Sequence, residues 1–165
     1  LDQLVEATNQ NAHLAVLHGR DVFYVIEQRA PGKPLLVTDV GVRLPATLTA
    51  TGLALLAGLP SEQISALFPS RDALVQRDGH GPTSVTQLRR MLVDVRRDGI
   101  ARENGSVTAG LKSVACAATD HNGLPAAAIA STYAESLDAA EEATVVRAVQ
   151  EAAARLTARL AGRRA

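Results

Sequence analysis

LPATLTATGLALLAGL, residues 44–59, is the stretch from which the rest of the chain is best read. It opens on Leu-Pro, passes through small residues and threonines, and becomes an apolar helix. Thr47 or Thr49 can cap that helix, and Gly58 can end it. Its front is small: Ala46, Ala50, Thr51 and Gly52 let another group approach the backbone closely. The first N–H groups of a helix lack intrahelical partners and carry a partial positive charge, so this start is a candidate anion site. The helix is expected to floor a small-molecule pocket whose walls come from elsewhere in the chain.

Upstream, residues 2–10 read as the end of a helix broken at Asn9-Gln10-Asn11. His13 to His18 and Val22 to Arg29 are β-rich, and Gly19-Arg20-Asp21 between them signals a hairpin. Ala30 to Pro34 reads as a turn and Leu35 to Val40 as a third short strand. No helix separates these strands, so the sheet starts antiparallel.

Downstream, SEQISALF (61–68) gives a short amphipathic helix, and Pro69 to Pro82 a polar loop. Ser84 to Arg97 is a helix, with Val85, Leu88, Leu92 and Val95 at spacings of three and four and Gly99 as its stop. Ile100 to Gly110 is polar and glycine-bearing and reads as a mobile loop. Lys112 to Thr119 and Pro125 to Tyr133 are strands joined through Asp120-His121-Asn122-Gly123, a strong hairpin signal. Asp138 to Leu160 is a long helix striped by Val145, Val149, Leu156 and Leu160. Arg155, Arg159, Arg163 and Arg164 gather at its end, where the helix dipole favours cations. The sum is an α+β fold: a GAF-like antiparallel sheet with helices packed on both sides.

The chain has 165 residues, the size of one domain. Apolar residues make up 47%, yet there is no Trp and only two Phe and two Tyr, so Ala, Val and Leu must build the core. Lys plus Arg (17) equals Asp plus Glu (17), which argues against this segment being a nucleic-acid surface. One Cys excludes an intrachain disulfide framework and fits a reducing compartment. Neither a signal peptide nor a bilayer-length apolar run is evident, so a cytoplasmic location is expected. The start LDQLVEATNQ, without an initiator Met, reads as a piece of a longer protein.

No constellation for catalysis stands out. The four histidines, His13, His18, His80 and His121, do not fall at metal-ligand spacing, and structural or surface roles are expected for them. Cys116 sits inside a strand; a buried, inert thiol is expected, since no base or thiolate-stabilising neighbour is visible. There is no nucleophile elbow and no glycine-rich phosphate loop. Neither metal, cofactor nor enzymatic activity is therefore expected. Glu103 is either a solvated loop charge or a site residue. Ser113 and Thr132 fall on adjacent strands, and if they face inward a polar ligand could satisfy them.

GVRLPATLTATGLALLAGLPSEQ (41–63) resembles a block of the IclR transcriptional regulators, G-x-R-L-P-x-H-x-T-A-x-G-K-A-L-L-A. HLAVLHGRDVFYVIEQ (13–28) is similar to the family's early hairpin, and residues 88–132 to its later helix-and-hairpin segment. The resemblance implies a C-terminal effector-binding domain spanning residues 1–165, with a winged helix-turn-helix that binds DNA lying outside this chain. It implies homo-dimers or tetramers and small carboxylate or aromatic effectors. It also implies a site: backbone N–H groups of Ala50 and Thr51, the acid Glu103, Ser113, two last-strand positions at Ala130 and Thr132, and apolar walls at Leu36, Leu44 and Leu111. Thr47 and Leu53 stand where the family has His and Lys, Ala130 where it has a hydroxyl, and Glu103 where small-acid binders use a shorter acid. A larger or less polar effector than glyoxylate or pyruvate is thus open. Two other readings compete: a GAF-like redox enzyme using Cys116, and a dimerisation domain with a degenerate pocket.

Overall fold

The computed structural model describes residues 1–33, 36 and 40–162 of the chain. In chain order these form α1 (Asp2–Thr8), β1 (Asn11–His18), β2 (Asp21–Gln28), β3 (Arg43–Pro45), α2 (Ala50–Ala57), α3 (Ser61–Leu67) and α4 (Val85–Asp98). Then follow β4 (Ala101–Asn104), β5 (Leu111–Thr119), β6 (Pro125–Ala134) and α5 (Ala139–Leu160), with 3-10 turns at Ala46–Leu48 and Arg71–Ala73. The strands make one six-stranded sheet in the order β3-β2-β1-β6-β5-β4, and every neighbouring pair is antiparallel. Two meanders, β1–β3 and β4–β6, are thus zipped together where β1 meets β6.

The sheet is apolar on both faces, which obliges a helical layer on each. Ala15, Ala115, Ala128 and Ala130 face one core with Leu53, Leu55 and Leu56 of α2 and Leu88 and Leu92 of α4. Val114, Cys116, Ile129 and Tyr133 face the other, with Val145, Val149 and Ala153 of α5 and Leu4 and Val5 of α1. Alanine on the α2 side lets that helix lie close to the sheet, so the layer closes without bulky aromatics. Leu55, Leu56, Leu88 and Leu92 are almost wholly buried. Truncating any of them to Ala should cost about 2–5 kcal/mol. No helix among the described residues is long and apolar enough to cross a membrane.

Local chemistry sets the helix ends. Thr49, not Thr47, caps α2, its hydroxyl accepting the Gly52 N–H at 3.0 Å. Pro60 occupies the cap position of α3, which starts at Ser61. Ser84 caps α4, and Gly99 closes it in a left-handed conformation at φ 66°. Asp138 and Glu141 form a reciprocal capping box at the start of α5.

Three expectations change. The strand expected over Leu35 to Val40 falls mostly outside the described residues; Leu36 and Val40 lie in no strand, and the third strand is Arg43–Pro45, paired to β2 through Val22–Leu44. Ile100 to Gly110 is not a loop throughout: Ala101–Asn104 form β4, with Glu103 opposite Ser113. Its two inward residues are Ala101 and Glu103, too weakly apolar to signal a strand. Finally, the smallness of Gly52 serves the fold, because a Cβ there would collide with the Ala46 backbone in the preceding turn. Of the terminal arginines, Arg163 and Arg164 lie outside the described residues.

Candidate functional site

The start of α2 points into a cavity on the α2 face of the sheet. It is lined by His13, Tyr24, Leu36, Thr49, Ala50, Thr51, Glu103, Val107, Thr108, Leu111, Ser113, Ala130 and Thr132. The space among these residues, part of it open to solvent, is about 400 Å³ and forms a slot. Eight of the nine residues singled out from the sequence come together here. Leu44 does not: as part of β3 opposite Val22, it packs half-buried on the α2-side core.

Hydroxyls link the helix start to the sheet. Thr49 Oγ1 takes the Gly52 N–H and also accepts from Thr51 Oγ1 at 3.3 Å; Thr51 Oγ1 lies 3.2 Å from the Tyr24 hydroxyl. The N–H groups of Ala50 and Thr51 precede the first helical i→i−4 bond, among those a helix leaves unpaired. Burial pushes the Tyr24 phenol up to about 12, so it stays protonated. Across β5 and β6, Ser113 Oγ and Thr132 Oγ1 are register partners 2.9 Å apart.

Glu103 stands at the edge of this group, 8% exposed. Burial holds its carboxyl above the ordinary range, opposed by hydrogen bonds from the Val107 N–H, the Ser113 hydroxyl and the Ser106 N–H. Its Oε1 accepts from Ser106 N at 2.7 Å and Val107 N at 3.2 Å, which folds the 105–110 loop over the slot and brings Val107 and Thr108 into the wall. Glu103 is therefore not a solvated loop charge.

His13 lies deeper, on β1, 1% exposed and edge-on to Tyr24, with ring centroids 5.9 Å apart at 86°. Burial drops its imidazole to about 4, so it is neutral near pH 7. No Lys or Arg is among the described lining residues.

Five lining residues were not picked out as site residues from the sequence: His13, Tyr24, Thr49, Val107 and Thr108. Thr49 was visible as a possible cap. His13 and Tyr24 could have been found only from strand register, since they sit on facing strands and point to one side. Val107 and Thr108 depend on the loop that Glu103 organises, which no spacing encodes.

The slot offers hydroxyls, helix-start N–H groups, a carboxyl and a neutral imidazole between apolar walls, a combination suited to holding a small polar molecule. Cys116 lies on the opposite face, its Sγ donating to the Gly99 carbonyl at 3.1 Å. Burial raises the thiol to about 11, the reverse of what a nucleophilic cysteine requires. No cluster of His, Cys, Asp or Glu among the described residues could hold a metal ion.

The family model described as bacterial transcriptional regulator IclR C-terminal matches residues 1–158. The chain belongs to the IclR family. Among its curated relatives is the HTH-type transcriptional regulator XynR of Escherichia coli K12, 28% identical over 156 residues, an alignment covering 92% of this chain and 60% of XynR. A transcriptional regulator from Rhodococcus sp. RHA1 has the same fold at TM-score 0.86 and 26% identity, over 98% of this chain and 65% of that one. An IclR homolog from Microbacterium hydrocarbonoxydans, solved with 4-hydroxybenzoate, superposes at TM-score 0.84 and 22% identity, over 98% and 65%. That last likeness establishes the fold alone. The IclR-type domain described here thus spans less than two thirds of the length of these relatives.

Proposed function

We propose that this domain senses a small-molecule effector in the slot at the start of α2, and so regulates DNA binding by a winged helix-turn-helix elsewhere in the protein. The supporting observation is the convergence of Ala50, Thr51, Glu103, Ser113 and Thr132, from α2, β4, β5 and β6, on one cavity. These N–H, carboxyl and hydroxyl groups come from elements far apart in the chain and meet beside apolar walls, the mixture that suits a small polar ligand. The effector class is a small carboxylate or aromatic metabolite; 4-hydroxybenzoate, bound by the Microbacterium protein, is both.

Binding regulates only if the effector prefers one of two arrangements of the assembled protein. We propose homo-dimers or tetramers as that assembly, with DNA contacted through the other domain. The isolated domain, with zero net charge, should then fail to retard operator DNA in a mobility-shift assay; specific retardation would refute that division of labour.

Thermal shift against a panel of small acids and aromatic metabolites tests the site, because a ligand that binds only the folded state raises its apparent stability. The expected result is a concentration-dependent rise that Thr51→Arg abolishes, with circular dichroism checking that the variant is folded, since Thr51 is 1% exposed. A rise that survives in Thr51→Arg would place binding elsewhere. No rise with any compound would favour a dimerisation domain with a degenerate pocket.

A further inference from the structure

His13 carries an observation that neither the core nor the hydroxyl network explains. It is 1% exposed, it lines the slot, and neither ring nitrogen has a hydrogen-bond partner among the described residues. Its register partner on β2, Glu27, gives one carboxylate oxygen to Arg29 at 2.9 Å and leaves the other unpartnered as well. A buried polar group without a partner is costly, and native proteins rarely keep one without a purpose. Phe or Leu on β1 would fill the same space beside Tyr24 at no such cost.

We propose that His13 is a ligand-contacting, specificity-determining residue of the slot, and that it reads a hydroxyl on a compact, flat ring compound. This rests on the effector reading above.

The group His13 reads follows from its chemistry. A neutral imidazole has one N–H donor and one bare nitrogen acceptor. A hydroxyl can satisfy whichever nitrogen faces the slot, by accepting from the N–H or donating to the bare nitrogen. A carboxylate can answer only the N–H. It would also meet the Glu103 carboxyl, with no Lys or Arg among the described lining residues to offset it. A carboxylate on the same molecule is better placed at the Ala50 and Thr51 N–H groups. The ring follows from the aromatic class proposed above, whose flat apolar face suits the walls of Leu36, Val107, Leu111 and Ala130.

The test compares 4-hydroxybenzoate with benzoate, which differ only in that hydroxyl, by calorimetry on the wild-type domain and on His13→Phe and His13→Gln. Wild type should bind 4-hydroxybenzoate at least about tenfold more tightly, the effect of one well-made buried hydrogen bond. His13→Phe should bring the ratio close to one while raising the melting temperature of the ligand-free domain, because it deletes two unpartnered polar atoms. His13→Gln, which keeps a donor and an acceptor, should retain part of the preference.

Equal affinity of the two probes for wild type would overturn the inference, as would an unchanged ratio in His13→Phe, the result expected if His13 binds only an enclosed water. A ligand-free His13→Phe that melts lower, with His13→Gln restoring stability, would mark a structural histidine and also overturn it. Binding of neither probe at about 10 mM, alongside shifts with other compounds that Thr51→Arg removes, would overturn the hydroxyl reading and leave the effector reading standing. Binding that Thr51→Arg does not touch would bring down both.

Discussion

Gly52→Ala opposes two effects of known sign. Replacing a helical glycine by alanine favours the helix by about 1 kcal/mol. Here the new Cβ would lie 2.5 Å from the Ala46 carbonyl carbon, and nearer still to its oxygen and Cα, whereas real Cβ atoms essentially never come within 3.0 Å of a neighbour. The obstacle is backbone and cannot rotate away. Nor can the turn retreat freely, because Ala46 N–H is tied to the Arg20 carbonyl at 2.9 Å. Overpacking of this kind costs about 1–3 kcal/mol and can cost more against backbone. The net expectation is a loss of about 2 kcal/mol, or a melting temperature lower by about 4–8 °C for a domain of this size. The displaced segment carries Thr49, Ala50 and Thr51, so effector binding should weaken with it. Urea denaturation and differential scanning calorimetry measure the first effect, and titration calorimetry the second. An alanine variant as stable as wild type, or more so, would show that the turn and α2 do not pack as described.

Glu103→Gln should alter the pH dependence of stability. A carboxyl whose folded pKa is raised binds its proton more tightly in the folded state, so its contribution falls as pH rises from the unfolded value, about 4.3, through the folded one. The stability difference, wild type minus variant, should therefore decline over that window in urea titrations at a series of pH values; a flat or rising difference would contradict the burial of Glu103. Cys116, with its thiol near 11, should react with iodoacetamide at pH 8 about a hundredfold more slowly than a free thiol until the domain unfolds, as followed by mass spectrometry. Asp138→Ala removes the acceptor of the Ala140 and Glu141 N–H groups, and should lower stability by about 1 kcal/mol and the melting temperature by about 2–4 °C.

The parts of the fold legible in the sequence were those with local signals. The Asn-Gly turn before β6, the three-and-four spacing of α4 and the Gly99 stop are short-range chemistry, and the structure follows them. β4 was not legible, because an edge strand of four residues whose inward side chains are Ala and Glu carries no apolar alternation. The helix within Leu44–Leu59 was legible, but the reason for its glycine was not: the close approach at Gly52 is made by the chain's own Ala46. At the cavity, the positions implied by the resemblance to the IclR family lie on α2, β4, β5 and β6, together with Leu36. Of those found only in the structure, His13 and Tyr24 come from the first meander and reach the slot because β1 pairs with β6, while Val107 and Thr108 come from the loop after β4. Contacts between positions so far apart in the chain leave no trace in spacing or periodicity.

The central claim is that an effector occupies the slot at the start of α2. A crystal structure of the domain with a compound that raises its melting temperature tests this most directly. The expected result is ligand density bounded by the N–H groups of Ala50 and Thr51, the Ser113–Thr132 hydroxyls and Leu111. Density in another cleft, such as the one between Leu14, Ile129 and Arg155, with the slot unchanged, would contradict it.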